Sequence, residues 1–221
     1  MQYTSAVMAH APSSRSRRLL AASIAAGPVF YGTAIGQMLT RAGFDITRHP
    51  LSLLSLGEAG WIQSVNFIVT GLLVLVGAWA FRQTMVSGPG SAAGPLLVGL
   101  FGAGTAFAGL FPPDPAFGFP PGAPPGMPTR MSIHSMLHGI GFDVAFLSLI
   151  VATFLFARHY SMLSLPGWRV YSIATGVVTP MLIIAGMAPQ PVMDAIYFVA
   201  GMLAFGWLSA VAWRQRTATR V

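Results

Sequence analysis

Apolar residues in this chain fall into six long runs, at about 19–40, 61–82, 92–111, 131–157, 168–187 and 192–213, separated by shorter polar or Pro/Gly-rich stretches. A helix needs about 20 apolar residues to cross a hydrocarbon core, so each run predicts one membrane-spanning helix. Residues 83–91 (QTMVSGPGS) read as a turn. Residues 112–130 (PPDPAFGFPPGAPPGMPTR) cannot be regular helix, because proline lacks the amide donor and clashes with the preceding turn. Residues 158–167 read as a connection, and the short turn at Ala188–Pro191 makes the fifth and sixth helices antiparallel neighbours. The predicted fold class is an all-α membrane protein, a bundle of six transmembrane helices over 19–213. It lies between cytoplasmic tails at 1–18 and 214–221. The run SRSRRLLAAS resembles a twin-arginine export signal, but the apolar stretch behind it is long enough to span and is read as an uncleaved first helix.

One polar stretch breaks the pattern. Phe44–Trp61 (FDITRHPLSLLSLGEAGW) places Asp45, Arg48, His49, Ser52, Ser55 and Glu58 between the first two spans. Its leucines, Leu51, Leu53, Leu54 and Leu56, are costly to expose on a loop. Leu51–Leu56 is therefore expected as a short interfacial or re-entrant segment. Asp45 and His49 are expected to fold back over the bundle near Asp114 and His138.

Composition agrees with a lipid solvent. Charged residues make up 8% of the chain and mean hydropathy is +0.68, whereas a soluble domain uses roughly a quarter charged residues. The +7 net charge does not indicate nucleic acid, because the arginines flank apolar spans and form no continuous stripe; membrane lipids are the expected partner. The absence of cysteine excludes disulfides, thiolate catalysis and iron–sulfur clusters. All twelve basic residues are arginine, which excludes a lysine Schiff base. No P-loop pattern is present, which argues against ATP-driven transport by this chain.

Arginine counts predict orientation. With the N-terminus inside, cytoplasmic segments hold nine arginines and outer segments hold only Arg41, Arg48 and Arg130. Both termini are then cytoplasmic, in a bacterial inner membrane. Every acid lies toward the outer side, with Asp45 and Glu58 in the first outer loop and Asp114 in the second. Asp143 lies three turns into the fourth helix and Asp194 begins the sixth.

Several chemistries are open on these residues. His134 and His138, four apart, share a helix face and have a spacing suited to one metal ion. His49 would be the third ligand and Asp45 or Asp114 the fourth group, making a zinc site. Simple hydrogen bonding of either histidine to a loop carbonyl is the plainer alternative. Asp143 is expected to face inward with a partner such as Asn66 or Thr105, about 140° round the helix from His138 on the 3.6-residue period. A b-type haem needs histidines at matching depth on facing helices, and only His138 qualifies. Gly71, Gly94, Gly99, Gly102, Gly104 and Gly109 offer close helix approach, and Trp61, Trp168 and Trp213 suit an interfacial belt.

The run DITRHPLSLLSLGEAGWIQSVNF at 45–67, with GLFPPDP at 109–115 and LHG at 137–139, resembles the bacterial membrane family catalogued as domain of unknown function 998. The resemblance implies six spans and supplies no activity. The motif residues it implies are Asp45, His49, Ser52, Ser55, Gly57, Trp61, Asn66, Asp114 and His138. The residue types are also similar to those of alkaline ceramidases and adiponectin receptors, intramembrane zinc hydrolases. Those proteins have seven spans and carry their paired histidines on the last helix, so the likeness is one of chemistry. Three functions follow: an outer pocket for a lipid headgroup or small ligand, with Asp45, His49, Ser52, Ser55, Asn66, Asp114, His138 and Asp143 as candidate contacts; a zinc-dependent lipid hydrolase; or a b-type haem redox protein.

Overall fold

A computed structural model describes residues 12–186 and 193–218. It contains six long helices: α1 (Ser14–Thr40), α2 (Gly60–Thr84), α3 (Ala93–Leu110), α4 (Ile133–Met162), α5 (Pro166–Gly186) and α6 (Met193–Thr217). All six are long and apolar enough to cross a membrane, and the protein is a multi-pass membrane protein. The turn expected at Ala188–Pro191 lies outside the described residues, as do His10, Arg220 and most of the expected N-terminal tail.

Two helix boundaries differ from expectation by five residues, and α6 runs four residues past 213 to Thr217. α1 begins at Ser14 because the Ser13 hydroxyl accepts the Ser16 amide, supplying a helix N-cap; the three arginines therefore sit on helix. α4 runs five residues past the expected end, through Arg158 and His159. His159 and Tyr160 are buried there, and Tyr160 packs on Phe156 and Trp168. The burial of two side chains outweighs their polar appearance in sequence.

Each helix packs against its chain neighbours and α6 closes on α1, so the helices form a ring. The two ends of the ring differ. Toward the end where α1 begins and α6 ends, the interior is filled by Phe81 of α2, Phe156 of α4 and Trp207 of α6, with ring centroids 5.3 and 5.2 Å apart. Trp207 Nε1 donates to Ser172 Oγ on α5 at 3.0 Å, which satisfies the buried indole. At the opposite end, where residues 41–59 and 111–132 connect helices, the interior is open.

Small residues let the ring close tightly. A Cβ on Gly104 of α3 would lie 2.6 Å from the Gly141 carbonyl oxygen of α4, and one on Gly102 would lie 2.7 Å from the Gly71 carbonyl oxygen of α2. Lipid tails supply no hydrophobic drive between helices, so such backbone contact supplies the packing energy. Gly99, expected to serve similarly, has only ordinary contacts to Ala78 and Leu75. Pro28 inside α1 cannot donate to the Ile24 carbonyl, and the Ser209 hydroxyl of α6 donates to that oxygen at 3.2 Å instead. Outward-facing Leu72, Trp79, Leu147, Met181 and Ile184 are all more than half exposed, a surface matched to lipid. Trp61 and Trp213, near opposite ends of the bundle, are also exposed and suit an interfacial belt.

Gly104→Leu should separate α3 from α4. The expected outcome is a loss of about 1–3 kcal/mol, the usual cost of overpacking, read as a lower thermal midpoint in detergent. Gly206→Ala, where a Cβ meets nothing within 4 Å, should leave the midpoint unchanged.

Candidate functional site

The two long loops are locked to each other. Leu51–Ser55 forms a single 3-10 turn, and Leu53 and Leu54 are buried against Ala34 and Phe119. This agrees with a segment that returns to the bundle to hide its leucines. His49 joins the loops: its Nδ1 accepts the Asp45 amide at 2.8 Å, so the neutral ring carries its proton on Nε2 and donates to the Phe117 carbonyl at 3.1 Å. The imidazole is 3% exposed and lies between Phe44 and Phe119, each 5.4 Å away by ring centroid. Arg41 donates to the Leu54 and Leu56 carbonyls and stands 5.4 Å over the Phe119 ring. The loops thus make one cap over the open end of the helix ring.

The two motif aspartates shape this cap. Asp45 Oδ1 accepts the Thr47 amide and hydroxyl, which hold its carboxyl below the usual range. Asp114 Oδ2 accepts the Ser132 amide at 2.7 Å, and the Asp114 amide donates to Ser135 Oγ. Hydrogen bonds from the Ser132 hydroxyl and amide keep the Asp114 carboxyl below its usual range. Ser132 also caps α4 through the Ser135 amide, so Asp114 positions the start of that helix. Because both folded-state pKa values are depressed, their contribution to the cap is complete above the ordinary carboxylate pKa of about 3.9. It is lost as pH falls through the depressed values.

Beneath the cap lies a cavity of about 440 Å³, within the usual range for small-molecule sites. Pro50, Leu51 and Ser52 reach it from the first loop and Met127 from the second; α1, α2, α3, α4 and α6 supply the walls. The aromatic walls are nearly continuous. Phe67 touches His138 and Phe30, at 5.9 and 5.1 Å, and Phe205 stacks on Phe30 at 5.6 Å. On the far side Phe142 packs on Phe146 at 4.5 Å and on Tyr197 of α6 at 6.4 Å. Two carboxylates, Asp143 and Asp194, stand in this lining, and among the described residues it contains no arginine.

The structure divides the expected site residues. Ser52, His138 and Asp143 line the cavity; Asp45, His49, Ser55, Asn66, Asp114 and His134 do not. His138 Nδ1 lies 2.9 Å from the Ala108 carbonyl and 3.0 Å from that of Phe111. It donates to carbonyl oxygens at the end of α3, where the last turn lacks its usual helical donors. Asn66 donates to the Phe30 carbonyl and to Gln63, which receives Gln37 in turn; Thr105 donates to Phe101. Both expected partners of Asp143 are therefore committed elsewhere, and Asp143 is exposed. Its separation from His138 round the helix does not exclude it, because the cavity is wide enough to meet α4 from His138 to Phe146.

The expected metal set is not assembled. Both ring nitrogens of His49 are engaged within the cap, and His134 is exposed with its ring against Phe111. Among the described residues no three histidines or carboxylates are grouped to hold a metal ion. The geometry does not bring His49, His134 and His138 together as one metal-ligand set.

Sequence reading passed over Asp194 as a contact, and also the aromatic face of α6. Asp194, Tyr197, Phe198, Gly201 and Phe205 recur at intervals of three and four along α6 and all line the cavity. That stripe was visible as an acid heading an aromatic helix face.

The chain matches the family described as "Protein of unknown function (DUF998)" over residues 24–215 and belongs to it. No curated protein and no solved structure matches the chain.

Replacing His49 removes the ring that joins the part-buried Asp45 amide and Phe117 carbonyl, a loss of about 1 kcal/mol for each hydrogen bond. His49→Ala should accelerate proteolysis within residues 112–130 well before global unfolding, and Asp114→Asn should do so more weakly. Equal cleavage of wild type and His49→Ala would remove His49 from this role.

Proposed function

We propose that this DUF998 protein binds a lipid headgroup or small ligand in the cavity beneath its loop cap, without chemistry on it. One observation carries the reading: the family motif builds a rigid cap over a helix ring that is packed solid at one end and open at the other. A bundle needing only stability would fill that space, since lost packing contacts are costly. Aromatic walls with a few polar groups are the usual make-up of a ligand site.

The arginine distribution supports a cap on the outer face of a bacterial inner membrane, with both termini cytoplasmic. Arg82 ends α2, and Arg214 and Arg216 end α6, all at the opposite end of the bundle from the cap. Reporter fusions after residues 88 and 164 should then read cytoplasmic and a fusion after 122 should read external. The reverse pattern would turn the cavity toward the cytoplasm.

Native mass spectrometry of protein released from membranes tests the binding itself. Wild type should carry a bound molecule of small-molecule or lipid mass. Gly139→Trp, which places an indole where a Cβ meets nothing within 4 Å, should lose it while keeping its thermal midpoint. Identical bound species on both proteins would contradict the cavity as the site.

A further inference from the structure

The cavity combines two features that select one ligand charge. Its walls are largely aromatic rings, and among the described residues its only formally charged side chains are Asp143 and Asp194. Asp194 is 3% exposed, and its Oδ2 has no hydrogen-bond partner among the described residues. A carboxylate removed from water without a hydrogen-bond partner is stabilised by a counter-charge placed beside it. No arginine among the described residues lines the cavity, and Arg41, the basic residue of the cap, is committed to the Leu54 and Leu56 carbonyls. With Nδ1 of His138 donating to two carbonyls, the neutral imidazole leaves Nε2 as an acceptor. The cavity is therefore set up to receive positive charge, and no group among the described residues provides it.

Resting on the ligand-binding reading above, we propose that the cavity takes an organic cation, an alkylated ammonium group set between the Asp194 and Asp143 carboxylates and the aromatic walls. Ring faces carry negative quadrupole charge and attract cations within about 6 Å of the centroid. A primary ammonium would need three hydrogen-bond acceptors, whereas an alkylated one is satisfied by π faces and a distant carboxylate. Tyr31 and Phe198, centroids 5.1 Å apart at 82°, and Phe142 and Tyr197, 6.4 Å apart at 89°, form two edge-to-face corners of such a box. The group arrives either on a free small molecule or as the headgroup of a lipid; the recognition chemistry is the same.

Choline and its uncharged carbon isostere 3,3-dimethylbutan-1-ol separate charge from shape. The full chain in phosphatidylglycerol nanodiscs, which contain no amine lipid, is titrated with each by calorimetry. Choline should bind at least roughly tenfold more tightly than the isostere, the scale of one charged contact. Asp194→Asn should weaken choline by a similar factor. Because an amide has no charge to desolvate, that variant should also melt higher than wild type without ligand. Asp143→Asn, at an exposed position, gives a second reading if Asp194→Asn does not fold, and should weaken choline too. Doping the discs with phosphatidylcholine should depress choline binding if the natural ligand is a lipid headgroup and leave it unchanged if it is free; either result fits the proposal. Equal binding of choline and isostere would overturn the cation while leaving the cavity a ligand site. Binding of neither would overturn it as well, and retention of the native species by wild type but not Gly139→Trp would then show the cavity reading surviving alone.

Discussion

One imidazole joins the two long loops of this protein. His49 takes the Asp45 amide on one nitrogen and gives its proton to the Phe117 carbonyl from the other, inside a sleeve of phenylalanines that excludes water. The imidazole itself is buried and both hydrogen bonds are partly shielded, so losing the ring removes two bonds that water replaces only in part. The 3-10 turn that follows, the burial of Leu53 and Leu54, and the placing of Ser52 over the cavity all depend on where this ring holds the chain. The polar stretch around His49 is thus first a device for making two loops behave as one part.

That part meets a bundle built on a different principle. In lipid the helices gain nothing from hiding apolar surface from one another, so they associate through backbone proximity at glycine and through polar contacts inside. Gly71, Gly102, Gly104 and Gly141 bring α2, α3 and α4 together, while Ser209 reaches the carbonyl freed by Pro28. Aromatic side chains fill the ring where α1 begins and α6 ends and stand apart near the cap. The result is a closed floor and a roof fixed from outside, with the buried Asp194 and the exposed Asp143 both bordering the cavity between them.

Much of the fold was legible because the lipid requirement writes itself as six uninterrupted apolar runs, and the observed helices fall on all of them. The helix ends were less legible. His159 and Arg158 look like loop residues by type, yet tertiary burial of His159 and Tyr160 keeps α4 helical through them. The site was legible in part. Charged and histidine residues in an apolar chain were conspicuous, and Ser52, His138 and Asp143 do border the cavity. Spacing could not tell which polar groups are consumed by backbone: His49 and Asp114 bond amides and carbonyls far off in sequence or in a neighbouring turn, and the Asn66 amide nitrogen is taken by the Phe30 carbonyl. The histidine pair on α4 misled for the same reason, since a shared helix face says nothing about what stands opposite it. Asp194 went unread because its meaning lies in the absence of a nearby cation, a property of three-dimensional arrangement.

The central claim is that the capped cavity is a ligand site and not a packing defect. An experimental structure of the full chain, crystallised from a lipid mesophase prepared with its native membrane extract, addresses that claim most directly. The account predicts non-protein density between Asp194, Tyr197 and the opposing aromatic walls, under an intact His49–Phe117 link. A cavity closed by inward rotation of Phe142 and Tyr197, with Asp194 paired to a protein group, would contradict it.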